Sequence, residues 1–252
     1  MYKPLILAVF SACFLICNIS FAQDDLKVYE AKASKKDTKT VEILSVDGKS
    51  QRVHIMPDYV HRVLKISCLK DTIAIEDYWG VPPEVHVLGN RFVQVNYEVR
   101  GGTGYALGNT MLLCVQHGKL HESLYFLRYT HSEVGDDALG DYKIKIALTG
   151  SNAKNYRLNV KVHDGFHSKS HHEKNYNYNN QTVLGFDVSQ NVFYQFKRTL
   201  FEYNIINPSK GGKQKQVLDG YYPTIILGTE IYYFINNEWF IPSTKGELYT
   251  FE

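Results

Sequence analysis

The feature that most constrains this chain is the alternation of apolar and polar residues over long segments. Three segments show it most clearly: RFVQVNYEVR (91–100), DYKIKIAL (141–148) and YRLNVKVH (156–163). Successive side chains of a β-strand point to opposite faces, so a period of two predicts strands with one buried face and one face in water. This habit is typical of antiparallel sheets.

Turn chemistry supports the same interpretation. Four dipeptides that favour chain reversal separate extended segments: Asp47-Gly48, Gly89-Asn90, His117-Gly118 and Asn236-Asn237. Roughly a dozen strands follow at intervals of about 8–12 residues, which predicts an all-β fold built as a sandwich, a barrel or a propeller-like stack of sheets. No blade-length repeat is visible, which disfavours the propeller. No segment shows a convincing amphipathic helical pattern.

The N-terminal residues read MYKPLILAVFSACFLICNISFAQDD. One lysine precedes an apolar run, and small residues stand just before a polar segment, so we expect a secretory signal over residues 1–22, cut after Ala22. The run is shorter than the ~20 residues of a membrane-spanning helix. An alternative is a lipid anchor on Cys13, but the apolar residues that follow this cysteine disfavour it. We therefore expect the periplasm or the cell exterior.

Removal of residues 1–22 leaves a charged lead-in at 23–39, expected to be mobile, and a β-rich domain over 40–252. The polar stretch 163–181 is the one plausible boundary between two sub-domains. Cys68 and Cys114 remain in the exported part. An oxidising compartment would allow one disulfide between them, and two buried free thiols are the alternative.

The net charge of the chain is too small to create a broad electrostatic field. The full chain has a formal net charge of +2, and loss of Lys3 with the signal leaves +1 (2 − 1). Near neutrality, no broad field exists to attract nucleic acid, and the lysines of NPSKGGKQKQ (207–216) fit a solvated turn. We therefore predict no nucleic-acid partner and no membrane span after signal cleavage.

The stretch HDGFHSKSHHEKNYNYNN (163–180) holds four histidines within ten positions. Histidines four residues apart converge only on a helix, and these Gly, Ser and Asn residues do not favour one. A zinc site also needs ligands held by a rigid shell. We interpret the stretch as an exposed polar loop and predict no metal and no cofactor.

Other short motifs give no catalytic assignment. The glycines of RGGTGYALGNT (100–110) lack the helix and the lysine of a phosphate-binding loop. The aspartates of EVGDDALGD (133–141) lack the ligand spacing of an EF-hand and are interpreted as turn residues. Neither a nucleophile elbow nor a zinc-protease motif is present. The catalytic residues of any enzyme are therefore unknown at this stage, and we lean against an enzyme.

Aromatic residues crowd the C-terminal third of the chain. On an exposed sheet face they would stack on sugars or anchor a protein partner, and in a core they would only pack. The candidate ligand face is formed by Tyr221, Tyr222, Tyr232, Tyr233 and Trp239. The composition, with its export signal and many short strands, resembles cell-envelope proteins of Gram-negative bacteria, a resemblance that carries no site residue. We expect a non-catalytic binder of a glycan or protein partner; a secreted hydrolase and a structural envelope component are the alternatives.

Overall fold

The computed structural model describes residues 26–76, 78–134, 137–152, 154–207, 212–227, 230–235, 238–242 and 248–250. After residue 195, the side chains described are those of Tyr232 and Tyr233. Two antiparallel sheets contain the strands, and in each sheet the spatial order follows the order in the chain. The prediction of an antiparallel all-β fold is confirmed, and across the described strands neither sheet closes into a barrel.

The first sheet has four strands, namely β1 (Lys39–Leu44), β2 (Ser50–Asp58), β3 (Val63–Cys68) and β4 (Asp71–Ile75). The second sheet begins with β5 (Glu84–Leu88), β6 (Phe92–Gly102), β7 (Tyr105–Gln116), β8 (Lys119–Val134), β9 (Ala138–Thr149) and β10 (Arg157–Ser168). It continues with β11 (Tyr176–Asp187), β12 (Val192–Asn207), β13 (Gly212–Leu227), β14 (Glu230–Ile235), β15 (Glu238–Pro242) and β16 (Leu248–Thr250).

Strand β7 lies at the centre of the packing and is covered on both faces. Residues 108–115 are all buried, and alternate positions face different clusters. Leu113 and Val115 pack with the first sheet, whereas Leu112 faces β10, β11 and β12. The fold therefore has three layers, with β5–β8 between the first sheet and the β9–β12 part of the second. An uninterrupted apolar run such as MLLCV is what burial on both faces requires.

The second sheet changes layer where β8 and β9 separate. These strands pair only from Tyr129 opposite Lys143 to Val134 opposite Ala138. Beyond Lys143, β9 pairs with β10 alone, up to Thr149. The β9–β12 segment thereby folds over the β5–β8 layer, and the second apolar cluster fills the space between them.

Residues 26–37 are α-helical, so the expectation of a mobile lead-in at 23–39 is wrong for this part. The half-buried positions are Glu30, Ala33, Ser34 and Asp37, a spacing that places them on one helical face. Ala33 packs against the first cluster, and Tyr59 donates from its amide to Ser34 Oγ at 3.0 Å and from its hydroxyl to Asp37 Oδ2 at 2.7 Å. Because the contact face is mostly polar, hydrophobic periodicity does not reveal this helix.

The predicted turns form where the sequence places them. Gly48, Gly89 and His117 have positive φ angles of 84°, 56° and 53° in the connections that follow β1, β5 and β7. The reversal predicted at Asn236-Asn237 lies outside the described residues.

The two cysteines do not form a disulfide. Cys68 and Cys114 are both free and fully buried. Cys68 belongs to the first cluster and Cys114 to the second, so they lie on opposite sides of the β5–β8 layer. Burial raises the pKa of both thiols, that of Cys114 to about 11.

The histidine-rich stretch is largely a hairpin rather than a loop. β10 continues to Ser168, a 3-10 turn spans His172–Lys174, and β11 begins at Tyr176. The two strands pair without interruption from Arg157 opposite Gly185 to Phe166 opposite Tyr176. Both strands belong to one sheet. The division into two sub-domains near 163–181 stays a prediction.

Candidate functional site

The register of β9, β10 and β11 creates a groove centred on a glycine. In the middle row of cross-strand neighbours, Gly165 lies between Asp141 on β9 and Asn177 on β11. Side chains on the same face flank this position at both ends. One adjacent row contains Lys143, His163 and Asn179, and the opposite end is lined by Leu139, His167 and Asn175. Because glycine has no side chain, the centre of this array is open. We call this feature the Gly165 groove.

Direct contacts hold the polar side chains of the groove. His163 Nδ1 lies 3.1 Å from Asn179 Oδ1, and Asn179 Nδ2 donates to Asn177 Oδ1 at 2.9 Å. His163 Nε2 lies 3.8 Å from Asp141 Oδ2. A Cβ atom at Gly165 would stand 3.2 Å from His163 Nε2, so a larger residue would fill the centre and displace the imidazole.

An aromatic pair lies on the opposite face of these strands, because Phe166 and Tyr176 alternate with Gly165 and Asn177. The rings of Phe166 and Tyr176 stack with centroids 6.3 Å apart and an interplanar angle of 22°. Tyr176 is 52% exposed although it is a large apolar side chain, and its hydroxyl donates to Asp164 Oδ1 at 3.2 Å. Burial and the adjacent Asp164 carboxylate raise the pKa of Tyr176, so this ring stays neutral near pH 7.

Asp137 anchors the turn at the end of the hairpin. Its carboxylate accepts from the Ser170 amide at 2.8 Å and from the Ser170 hydroxyl at 2.6 Å. Its carbonyl accepts from the Lys169 amide at 2.9 Å. Hydrogen bonds from Ser170 hold the pKa of Asp137 below its ordinary value. Asp137, one of the aspartates of 133–141, therefore fixes the turn at one end of the groove. Its carboxylate already accepts hydrogen bonds from Ser170.

The groove has a volume of about 500 Å³ and is open to solvent. Its described lining contains one carboxylate, that of Asp141, and no serine, threonine or cysteine. Glycoside hydrolysis ordinarily uses a pair of carboxyl groups, and covalent hydrolysis needs a nucleophile. Amide, imidazole and carboxylate groups that can bind a polar ligand meet in this lining.

The histidines do not assemble into a metal centre. Among the described residues, no group of three His, Cys, Asp or Glu side chains has a geometry that could hold a metal ion. His163 and His167 border the groove, whereas His171 and His172 lie at the exposed turn. His171 Nδ1 lies 3.2 Å from Glu173 Oε1.

The tyrosines predicted as a ligand face are only partly described. Tyr233 is buried at 5% exposure, and Tyr232 is half-buried against the second cluster. Tyr221 and Tyr222 lie on β13 and Trp239 lies on β15, with side chains outside the described residues. This ligand face remains a prediction.

The groove residues were missed because the stretch 163–180 was interpreted as an exposed polar loop, whereas β10 continues to Ser168. A usable signal was present, since the alternation of YRLNVKVH continues through Gly165 and His167 on the face that is exposed. The partners on β9 and β11 depend on register, which a single strand does not reveal.

Two further recesses border the middle layer. One, of about 440 Å³, contains Glu76 and Glu122 beside Tyr97 and Tyr125. Glu122 keeps an exposed surface, yet the surrounding protein desolvates its carboxyl group and raises its pKa. The other, of about 280 Å³, lies where β8 and β9 separate.

No family model, curated protein or solved structure matches this chain. Among the described residues, no helix combines the length and the apolar character needed to cross a membrane. Assignment of a function therefore rests on the chemistry of the groove.

Proposed function

We propose that this protein is a non-catalytic, exported carbohydrate-binding protein of the cell envelope, and that the Gly165 groove is its saccharide site. Export is supported by the sequence of residues 1–22, and binding is supported by the groove. The observation that carries the proposal is the open array of amide, imidazole and carboxylate side chains centred on Gly165.

The chemistry of a sugar ring fits this lining. The hydroxyls of a pyranose both donate and accept hydrogen bonds. Asn175 and Asn177 offer amides with both functions, and Asp141 offers an acceptor. The open centre at Gly165 lets a ring approach the sheet closely.

A protein partner and a hydrolase fit these features less well. The groove is concave and its lining is rich in amides, whereas a central protein hot spot is usually apolar and deeply packed. Among the described recesses, two carboxylates meet in that of Glu76 and Glu122, which is open to solvent.

Binding to an array of neutral and acidic glycans, followed by calorimetry with the best ligand, tests the proposal. Gly165→Val should abolish binding, because even a Cβ atom would lie 3.2 Å from His163 Nε2. Gly102→Val is the matched control, since a Cβ atom at Gly102 meets nothing within 4 Å. Asn177→Ala should weaken binding about tenfold through a lost hydrogen bond.

Two outcomes would contradict the proposal. One is an array on which no saccharide binds the purified full chain. The other is a saccharide that binds the wild-type protein and the groove variants with equal affinity. Thermal melting of each variant separates loss of the site from loss of the fold.

A further inference from the structure

The face that carries the Gly165 groove continues along β9, β10 and β11 as a cationic surface. Register places these exposed cations in successive rows beyond the groove: Lys143 beside His163, Lys145 beside Lys161, and finally Arg157 at the row of Thr149 and Gly185. Amide side chains fill the neighbouring positions, among them Asn159, Asn179 and Gln181. Two carboxylates occupy paired positions of this face, Asp141 inside the groove and Asp187 at the far end of β11. We call it the outer ribbon face.

Two of these lysines stand in an arrangement that costs stability. Lys145 and Lys161 lie directly opposite each other on antiparallel strands, where side chains are about 5 Å apart at Cβ and like charges repel. Within the described part of the chain, neither has an ion-pair partner at 4.0 Å or less. An anion placed over the pair would relieve this repulsion.

The positive charge also extends around the edge of β9. Beyond Lys143 this edge is not paired with β8, and the recess at that position is lined by Lys143, Lys145 and Arg128. Arg128 Nη2 lies 3.2 Å from Glu98 Oε1, but the buried Nε of Arg128 has no hydrogen-bond partner. The lining of this recess contains no carboxylate.

We infer that the saccharide bound by this protein is a polyanion, of the class of uronic-acid polymers, and that it extends from the Gly165 groove along the outer ribbon face. This inference rests on the proposed function and specifies its ligand. Leu139 and Thr149 of β9 stand ten positions apart, which spans about 33 Å at the usual rise of a strand, so the face is long enough for several sugar units. Lysines would pair with carboxylates and amides with hydroxyls.

The same observations favour a saccharide over a nucleic acid. Proteins that bind single strands combine positive charge with aromatic side chains on which bases stack. On β9, β10 and β11 the rows of the outer ribbon face beyond the groove contain no Phe, Tyr or Trp, and one aromatic residue, Tyr194 of β12, lies next to Gly185 at the far end. A single ring at one end does not provide a path on which successive bases stack.

The test uses oligogalacturonate, its carboxyl-reduced neutral counterpart and a single-stranded DNA of equal charge, each titrated into the purified full chain. Oligogalacturonate should bind more tightly than the other two, and its affinity should fall between 0.05 and 0.5 M salt because exposed charges are screened. The double variant Lys145→Gln, Lys161→Gln should weaken binding about tenfold. It should melt no lower than wild type, since the substitutions remove a repulsion.

A matched control is the double variant Lys36→Gln, Lys70→Gln, which removes the same charge from exposed positions on the helix and on the first sheet. Its affinity for oligogalacturonate should equal that of wild type. An equal loss in this control would show that only net charge matters, and the inference would be overturned.

The outcomes separate this inference from the proposed function. Equal binding of the acidic and neutral sugars overturns the inference and leaves the groove as a saccharide site. Acidic binding that depends on Lys145 and Lys161 but not on Gly165 overturns the groove and supports the outer ribbon face. Tighter binding of DNA overturns the inference in favour of nucleic acid, and no binding at all overturns both.

Discussion

Phe92 holds the middle and third layers together, so its removal tests the three-layer packing. This β6 side chain is completely buried in the second cluster. Its ring contacts Tyr156 edge-on at 5.3 Å, Phe186 edge-on at 4.9 Å and Phe193 at a tilted 5.0 Å. These partners lie just before β10, on β11 and on β12, so one ring from the middle layer joins three segments of the layer that folds over it.

Substitution of Phe92 by alanine should therefore be costly. Truncation of a buried phenylalanine removes its transfer free energy and leaves a cavity, which together amount to about 3–5 kcal/mol. Three aromatic neighbours lose a partner, and the surrounding strands are held by their own pairing, so the cavity cannot collapse easily. We expect the free energy of unfolding to fall by about 4 kcal/mol, whereas Phe92→Leu, which keeps most of the volume, should cost about 1–1.5 kcal/mol.

Urea unfolding at pH 7, followed by circular dichroism and tryptophan fluorescence, measures this change where the two probes coincide. For a chain of this size, a loss of 4 kcal/mol lowers the melting temperature by roughly 8–16 °C. Tyr29→Ala is the control, because Tyr29 is 70% exposed on the helix, and it should change stability by less than about 0.5 kcal/mol. A cost of Phe92→Ala below about 1.5 kcal/mol would refute the packing of β9–β12 over the middle layer.

Two further predictions concern the thiols and the anchored turn. Cys68 and Cys114 are buried, with pKa values raised by burial, so a thiol reagent at pH 8 should label neither in the native protein and both in urea; an unfolded chain that takes up no label would show a disulfide. Asp137→Asn should speed amide exchange at Ser170. Because hydrogen bonds lower the folded pKa of Asp137, the stability difference from wild type should be present above about pH 4 and vanish as pH falls through that folded pKa, in paired melts.

The fold class follows from local patterns, and its layering does not. Alternation along β6, β9 and β10 and the turn residues at Gly48, Gly89 and His117 are readable from the chain because each depends on neighbours in sequence. The helix at 26–37 is not readable in this way, since its contact face is made of polar residues that bond to Tyr59. Burial of β7 on both faces is visible as an apolar run, but the identity of the covering strands is not.

The candidate site depends even more on strand pairing, which the sequence does not reveal. The histidine stretch suggested ligands because its imidazoles are close in sequence, yet pairing sends His163 and His171 to different surroundings. The opposition of Lys145 and Lys161 exists only because β9 and β10 are in register, and a shift of one residue would move either lysine to the other face. Selection for stability alone favours an acidic partner at one of these positions. Two facing lysines on an exposed surface form an arrangement that a bound anion would stabilise, and it is the feature that the binding experiments address most directly.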